Sequence, residues 1–427
     1  MIYRARALVT MDGPPIENGA VWVEGGLIRA AGAFGEIARL APGPVVDLGE
    51  RVILPGLINA HCHLDYSMMR GAIGQQASFS RWISRINAIK RSLDEEDYLR
   101  AIANGFEELQ SSGVTTVLNI ESFPELMLRM PPPPIRTWWF YELIDIRHCN
   151  ATEELVAGAL LFFQQRPGWM GGHGLSPHAP YTASSQLYRL ANACAGASGM
   201  PLTTHLAESA EEDEMFRHGR GALYDFLSSM GRDMADCGHG SSTRHLLAHQ
   251  LAGPGWILVH LNEVDERDFE MLAAPGLAGS IHLVHCPRSH RYFRHHPFEF
   301  KRFHDLGLSI SLGTDSLASN DSLNLFTEMQ TLAENESWLE PEELLKTVTV
   351  NPARALRQEE TTLGRIAPGT RADMICLPFS EEISKVYEEI VHFRGRVGWM
   401  LVDGNIVANR PRRLRAMENP RHPIQTS

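Results

Sequence analysis

The chain has no CxxC pair, no apolar run of membrane-spanning length and no excess of positive charge. Its six cysteines, at 62, 149, 194, 237, 286 and 376, are scattered over 427 residues. That spread excludes a small disulfide framework and fits a reducing compartment, where a buried thiol is the ordinary outcome. A net charge of −12 argues against a surface that coats nucleic acid, which needs a basic face. It leaves room for a small anionic ligand, because one arginine at close range outweighs the global balance. The opening MIYRARALVTMDG lacks the apolar core of a signal peptide. The expectation is therefore a cytoplasmic protein with neither membrane nor nucleic acid as partner. Two nucleotide signatures are missing as well: no GxGxxG follows an early strand and no GxxxxGK[ST] occurs.

What is present suits a large fold. Hydrophobic residues make up 44% and charged residues 21%, enough for a sizeable core, and the length fits a barrel with an accessory unit. Strand-like apolar runs at 52–60, 114–120, 136–145, 171–176, 201–206, 256–261, 279–285 and 307–313 alternate with amphipathic stretches such as 94–112, 151–165, 184–198 and 321–335. Eight such alternations predict an α/β fold, a (β/α)₈ TIM-type barrel, with an open doubly wound sheet as the rival. The ends read differently: VWVEGGLIRAAG is a hairpin with a Gly-Gly turn, and 365–410 is similarly strand-like. Neither end can bury a core alone. The expected division is a composite β-sandwich domain from 1–55 and 360–427, with a catalytic barrel over 56–359.

The chemistry gathers at predicted strand ends. In VILPGLINAHCHLD, His61 and His63 lie two apart on a strand, so both imidazoles face one side while Cys62 faces away. An HxH alone is weak, but His205 ends PLTTHL, His260 ends WILVHL and Asp315 ends LSISLGTD. Strand C-termini of a barrel converge on one mouth, which makes these a single constellation able to chelate a divalent metal. Other histidines, at 239, 245, 249, 295 and 296, sit in polar stretches and read as solvated.

With PGLINAHCHLD, HLAE, LGTDSLASNDSLNLFTEM, LGRIAPGTRADM and a late VDG in that order, nearly the whole chain resembles the amidohydrolase superfamily, in its deaminase and chlorohydrolase branch. The resemblance implies His61, His63, His205 and Asp315 as ligands of one divalent metal, zinc first and iron(II) second. It implies Glu208 as the acid–base carboxylate and His260 as the residue that orients the attacking water, with Asp315 also moving protons. His178, in SPHAPYT, matches a substrate-binding histidine. The bridging lysine of binuclear members is missing from GGHGLSPHAP, which favours one metal. Asp65 extends the motif to HxHxD, but Tyr66 stands where a metallo-β-lactamase-type site needs histidine. A metal-free scaffold is the non-enzyme alternative, and it predicts missing ligands.

Substrate identity lies in the loops. Arg288 in HCPRSHRYF suits a carboxylate, and Trp82, Tyr292 and Phe293 offer flat apolar surface; the bland reading of Arg288 is a salt bridge to a neighbouring loop. SFSRWISRIN and CPRSHRYF resemble the aminodeoxyfutalosine deaminases, implying 6-amino-6-deoxyfutalosine as the small-molecule substrate. S-adenosylhomocysteine, methylthioadenosine, adenosine, guanine and chlorotriazines are the alternatives. A homodimer is the expected assembly.

Overall fold

The computed structural model describes residues 1–41, 43–76, 78–146, 151–165, 168–356 and 362–407. Its centre is a curled parallel sheet. The strands Leu57–His63, Val114–Glu121, Arg136–Leu143, Gly171–Pro177, Leu202–Leu206, Trp256–His260, His282–His285 and Ser309–Leu312 pair in chain order. After Gly313–Thr314 the two-residue strand Asp315–Ser316 pairs in parallel with Cys62 and His63, so the last strand returns to the first. The first, second, fifth and sixth strands are buried along their whole length, as expected of a parallel sheet covered on its outer face and filled within.

The helices follow from local chemistry. Glu95–Ser111 begins at a capping box between Asp94 and Asp97, which satisfies orphan amides at its start. It buries Tyr98, Ala101, Ile102, Gly105, Phe106 and Leu109 on one stripe. Ser185–Ser198 is capped by Ser184 and ends at Gly199, whose φ of 71° is left-handed; glycine holds that conformation without a Cβ clash.

One predicted strand is corrected. The run 52–60 is two strands, Arg51–Pro55 in a different sheet and Leu57–His63 in the curled sheet. The chain changes sheets at Gly56, where a Cβ would lie 2.1 Å from Thr115 Oγ1. An uninterrupted apolar run hides such a break, because both halves are buried.

The chain ends pair with each other. A six-stranded sheet runs Asn405–Ile406, Trp399–Val402, Met374–Pro378, Arg51–Pro55, Ala7–Leu8, Ile16–Glu17. A four-stranded sheet comprises Leu27–Ala33, Gly19–Glu24, Ile2–Arg4 and Val45–Asp47. Its hairpin turns at Gly25 and Gly26, both left-handed, with Glu24 opposite Leu27. Arg136, at the start of the third strand of the curled sheet, reaches Asp373 beside the six-stranded sheet with contacts of 2.8 and 3.2 Å, both side chains being buried. Removing one member of a buried ion pair leaves the other charge uncompensated. Arg136 keeps a second contact with Asp403 at 3.3 Å, so Asp373→Ala is expected to destabilise the protein by about 3 kcal/mol or less, read as a lowered denaturation midpoint.

Candidate metal centre and its cavity

The four predicted ligands meet. His61 and His63 close the first strand, His205 lies near the end of the fifth and Asp315 follows the eighth. His63 Nε2 is 3.3 Å from His205 Nε2. Asp315 Oδ1 is 3.6 Å from His61 Nε2 and 3.9 Å from His63 Nε2. Ligand atoms of His61, His63 and Asp315 lie within 4.8 Å of one another, as do those of His61, His205 and His260.

The donor set fits a divalent cation. Both ring nitrogens of His61, Nδ1 of His63 and Nε2 of His260 are buried with no hydrogen-bond partner, and buried polar atoms are ordinarily paired. His205 Nδ1 donates to the His178 carbonyl at 2.8 Å, leaving Nε2 with a free lone pair. Burial and neighbouring imidazoles push His63 down to about 3 and His205 well below the ordinary histidine value, so both present neutral nitrogen. Burial raises Asp315, but His61 and the other histidines outweigh it and hold the carboxyl well below the usual range. Its Oδ2 accepts from Ser289 and Ser319 at 2.6 and 3.0 Å, and its Oδ1 from the Ser316 amide at 2.7 Å. Three imidazoles and one carboxylate match zinc or iron(II) chemistry.

Glu208 and His260 complete the group. Glu208 Oε1 lies 3.7 Å from His260 Nε2. Burial, then Asp315 and Glu212, raise the Glu208 carboxyl well above its ordinary value, against a hydrogen bond with Tyr181. Glu212 accepts from the Ala207 and Glu208 amides at 2.9 and 2.8 Å, fixing the turn that carries Glu208. The strand ends are also bent into left-handed backbone, with φ of 50° at Ala207, 81° at His260 and 56° at Asp315. Non-glycine residues adopt that region at a cost, and here it turns side chains towards one mouth.

The group opens into a cavity of about 490 Å³. His63, His178, His205, Glu208 and Asp315 line its polar side; Ile83, Ile86, Ile144, Ile146, Phe226 and Met230 line its apolar side. Trp82 lies on the wall, its Nε1 donating to the Ala318 carbonyl at 3.3 Å. His178 shares a hydrogen with Thr182 Oγ1 at 2.6 Å.

Arg288 is placed elsewhere. It lines a separate, shallower hollow of about 290 Å³ with Tyr292, where its guanidinium pairs with Asp321 and donates to Asn320 Oδ1 at 3.0 Å. The cation on the main cavity is Lys90, the only one among its described lining residues. The guanidinium also lies 4.0 Å from the buried Glu328 carboxylate, so Arg288→Met is expected to lower stability while leaving the cavity intact; a matched KM for wild type and variant would mark Arg288 as a loop tie. Phe293 packs its ring 4.8 Å from Trp82. Of the histidines expected to be solvated, His245 and His295 are half-buried instead, the former on the helix Ser242–Ala248.

The sequence alone does not single out Lys90, Glu142 or Tyr181. Glu142 lies near the end of the third strand as His205 does on the fifth, so the strand-end rule could have found it. Tyr181 sits three residues after His178, and Lys90 ends the helix Phe79–Lys90 that carries Trp82.

Comparison with known proteins places the chain among deaminases and related hydrolases by similarity. The chain is 27% identical over 390 residues to a 5-methylthioadenosine/S-adenosylhomocysteine deaminase of Pyrococcus furiosus, covering 88% of this chain and 85% of that protein. It is 28% identical over 354 residues to an aminodeoxyfutalosine deaminase of Deinococcus radiodurans, covering 79% and 81%. The fold matches the crystal structure of a Xanthomonas campestris adenosine deaminase with bound zinc, at a TM-score of 0.78 and 22% identity over 95% of this chain and 92% of that one. The amidohydrolase family model matches residues 52–407. This chain therefore belongs to the amidohydrolase family.

Proposed function

We propose that the protein is a metal-dependent hydrolase that removes the exocyclic amine from the purine ring of a nucleoside, releasing ammonia. The observation that carries the reading is one cavity holding His63, His205, Asp315 and Glu208 against an apolar wall. When bound, a divalent metal lowers the pKa of water from about 15.7 towards 7 and makes a nucleophile available at neutral pH. Zinc is the first choice, as in the Xanthomonas relative, and iron(II) the second.

The chain's residues do the rest. Glu208, held protonated by its surroundings, donates to the ring nitrogen beside the reacting carbon and regains a proton from the added hydroxyl as the carbonyl forms. Asp315 accepts the proton of the attacking water and returns it to the departing amine. His260 aligns the water and donates a hydrogen bond to the oxygen as charge develops on it. Trp82 and His178 hold the substrate, the first as a flat wall and the second by a ring nitrogen on the cavity.

The apolar wall supports a nucleoside with an apolar or aryl 5′ extension. 6-Amino-6-deoxyfutalosine is the first substrate, on the loop resemblance and the Deinococcus relative. Methylthioadenosine is the second reading, favoured by the placement of Arg288 away from the cavity. Ammonia release by metal-loaded protein across these two, S-adenosylhomocysteine, adenosine, guanine and a chlorotriazine tests both. Preference for either nucleoside supports the function; turnover of the chlorotriazine or guanine alone would replace it.

The accessory parts belong to the same proposal. The shared core of Tyr3, Leu8, Val21, Ile28, Met374 and Leu401 supports one small β-sandwich built from 1–55 and 360–427, against a barrel over 56–359. Residues 357–361 at that boundary, and 408–427, lie outside the described residues. No helix among the described residues is long and apolar enough to cross a membrane. Cytoplasmic placement and assembly as a homodimer complete the proposal, the latter to be read by light scattering.

A further inference from the structure

The cavity carries a second polar group that the reaction does not use. Lys90 and Glu142 both line it, together with Tyr66 and Asn87. Tyr66 stacks on the ligand His63 with ring centroids 5.5 Å apart, so this group begins one ring away from the metal centre. Lys90 Nζ donates to Tyr66 Oη at 2.8 Å, which leaves two of its three N–H bonds. Glu142 Oε2 accepts from Ser122 Oγ at 2.8 Å, and Oε1 lies 3.9 Å from His178 Nε2, beyond hydrogen-bond reach. The cavity therefore offers a strong donor and a strong acceptor in one lining.

That pairing selects a ligand. A carboxylate or phosphate would meet the Glu142 charge, and an ammonium would meet Lys90. A neutral ligand with adjacent hydroxyls satisfies both, one hydroxyl donating to Glu142 and its neighbour accepting from Lys90. In a purine nucleoside the sugar hangs from the ring edge opposite the reacting carbon, so a ring held with that carbon at the metal centre directs its sugar to another part of the cavity lining. We propose that Lys90 and Glu142 read the 2′,3′-hydroxyl pair of a ribose and make the site selective for ribonucleosides over deoxynucleosides and free bases. This rests on the deaminase reading above, and it holds for either 5′ extension.

The test is a series of substrates on the metal-loaded wild-type protein: adenosine, 2′-deoxyadenosine, 3′-deoxyadenosine and 2′,3′-dideoxyadenosine. A hydrogen bond to a charged group corresponds to roughly a ten- to hundred-fold preference. Loss of both hydroxyls is therefore expected to lower kcat/KM by at least about 100-fold. In Glu142→Gln and Lys90→Met that preference is expected to shrink to about tenfold or less, through a raised KM for adenosine. Equilibrium binding of inosine against 2′,3′-dideoxyinosine reads the same pair of hydroxyls without turnover. Equal kcat/KM for adenosine and the dideoxy compound on wild-type protein would overturn the assignment while leaving the deaminase reading intact. Ammonia from none of the purine nucleosides would overturn the deaminase reading, and this one with it. The substrate series needs no variant, so it decides the question even where Glu142→Gln or Lys90→Met folds poorly.

Discussion

Glu208→Gln is expected to lower kcat for ammonia release by about 10²–10⁴-fold while the protein keeps its metal. Glutamine preserves the shape of the side chain and its contact with Tyr181, but it cannot pass a proton. Glu208 stands 3.7 Å from His260 and belongs to neither group of ligand atoms that converge within 4.8 Å. Metal content is therefore predicted to stay near one ion per chain. A steady-state assay beside elemental analysis checks both halves. Equal losses of kcat and metal would mean that Glu208 is a ligand; unchanged kcat would remove it from the reaction.

The second large effect concerns the ligands. His63→Ala is expected to abolish stoichiometric metal and lower kcat/KM by about 10⁴-fold or more, since the metal supplies several kcal/mol of charge stabilisation in the transition state. His63 Nε2 sits 3.3 Å from His205 Nε2, and two neutral nitrogens at that spacing have no direct attraction unless a proton or a cation lies between them. Removing one ring therefore costs the site a donor and costs the fold little electrostatically. Chelation of the wild-type protein should reproduce the loss, and zinc or iron(II) should restore it in wild type but not in the variant. A variant that retains full activity and metal would show that another set of side chains holds the ion.

Much of this is legible in sequence because the relevant signals are local. An apolar run that ends in histidine or aspartate gives both the strand and its C-terminus. A curled parallel sheet then brings all such ends to one mouth, which is why His61, His63, His205, His260 and Asp315 can be read together. Arg288 shows the limit. Its motif, HCPRSHRYF, gives the loop, but the partner that holds it, Asp321, lies 33 residues further on, and sequence spacing says nothing about which way a guanidinium turns. Lys90 escapes for the opposite reason: it ends an amphipathic helix, where lysine is normally a solvated cap, and only packing of that helix over the mouth brings it to the cavity. Glu142 is hidden by its neighbours, since WWFYELID reads as a strand rather than as a site. The break at Gly56 depends on Thr115, a contact across two elements.

The return of the last strand to the first rests on a short seam. Only Asp315 and Ser316 pair there with Cys62 and His63, helped by the Thr314 amide on the His61 carbonyl at 3.0 Å and by the Asn59–Thr314 side-chain bond at 2.7 Å. Three of the four candidate ligands sit on both sides of that seam, His61 and His63 on one edge and Asp315 on the other, with His205 across the mouth on the fifth strand. A divalent ion held by all three would act as a rivet. Binding that favours only the closed form stabilises it by mass action, so amide exchange at 59–63 and 312–316 should slow as metal is titrated in, while strands that carry no candidate ligand keep their rates. The same few residues would then set the lifetime of the closed sheet as well as the rate of the reaction.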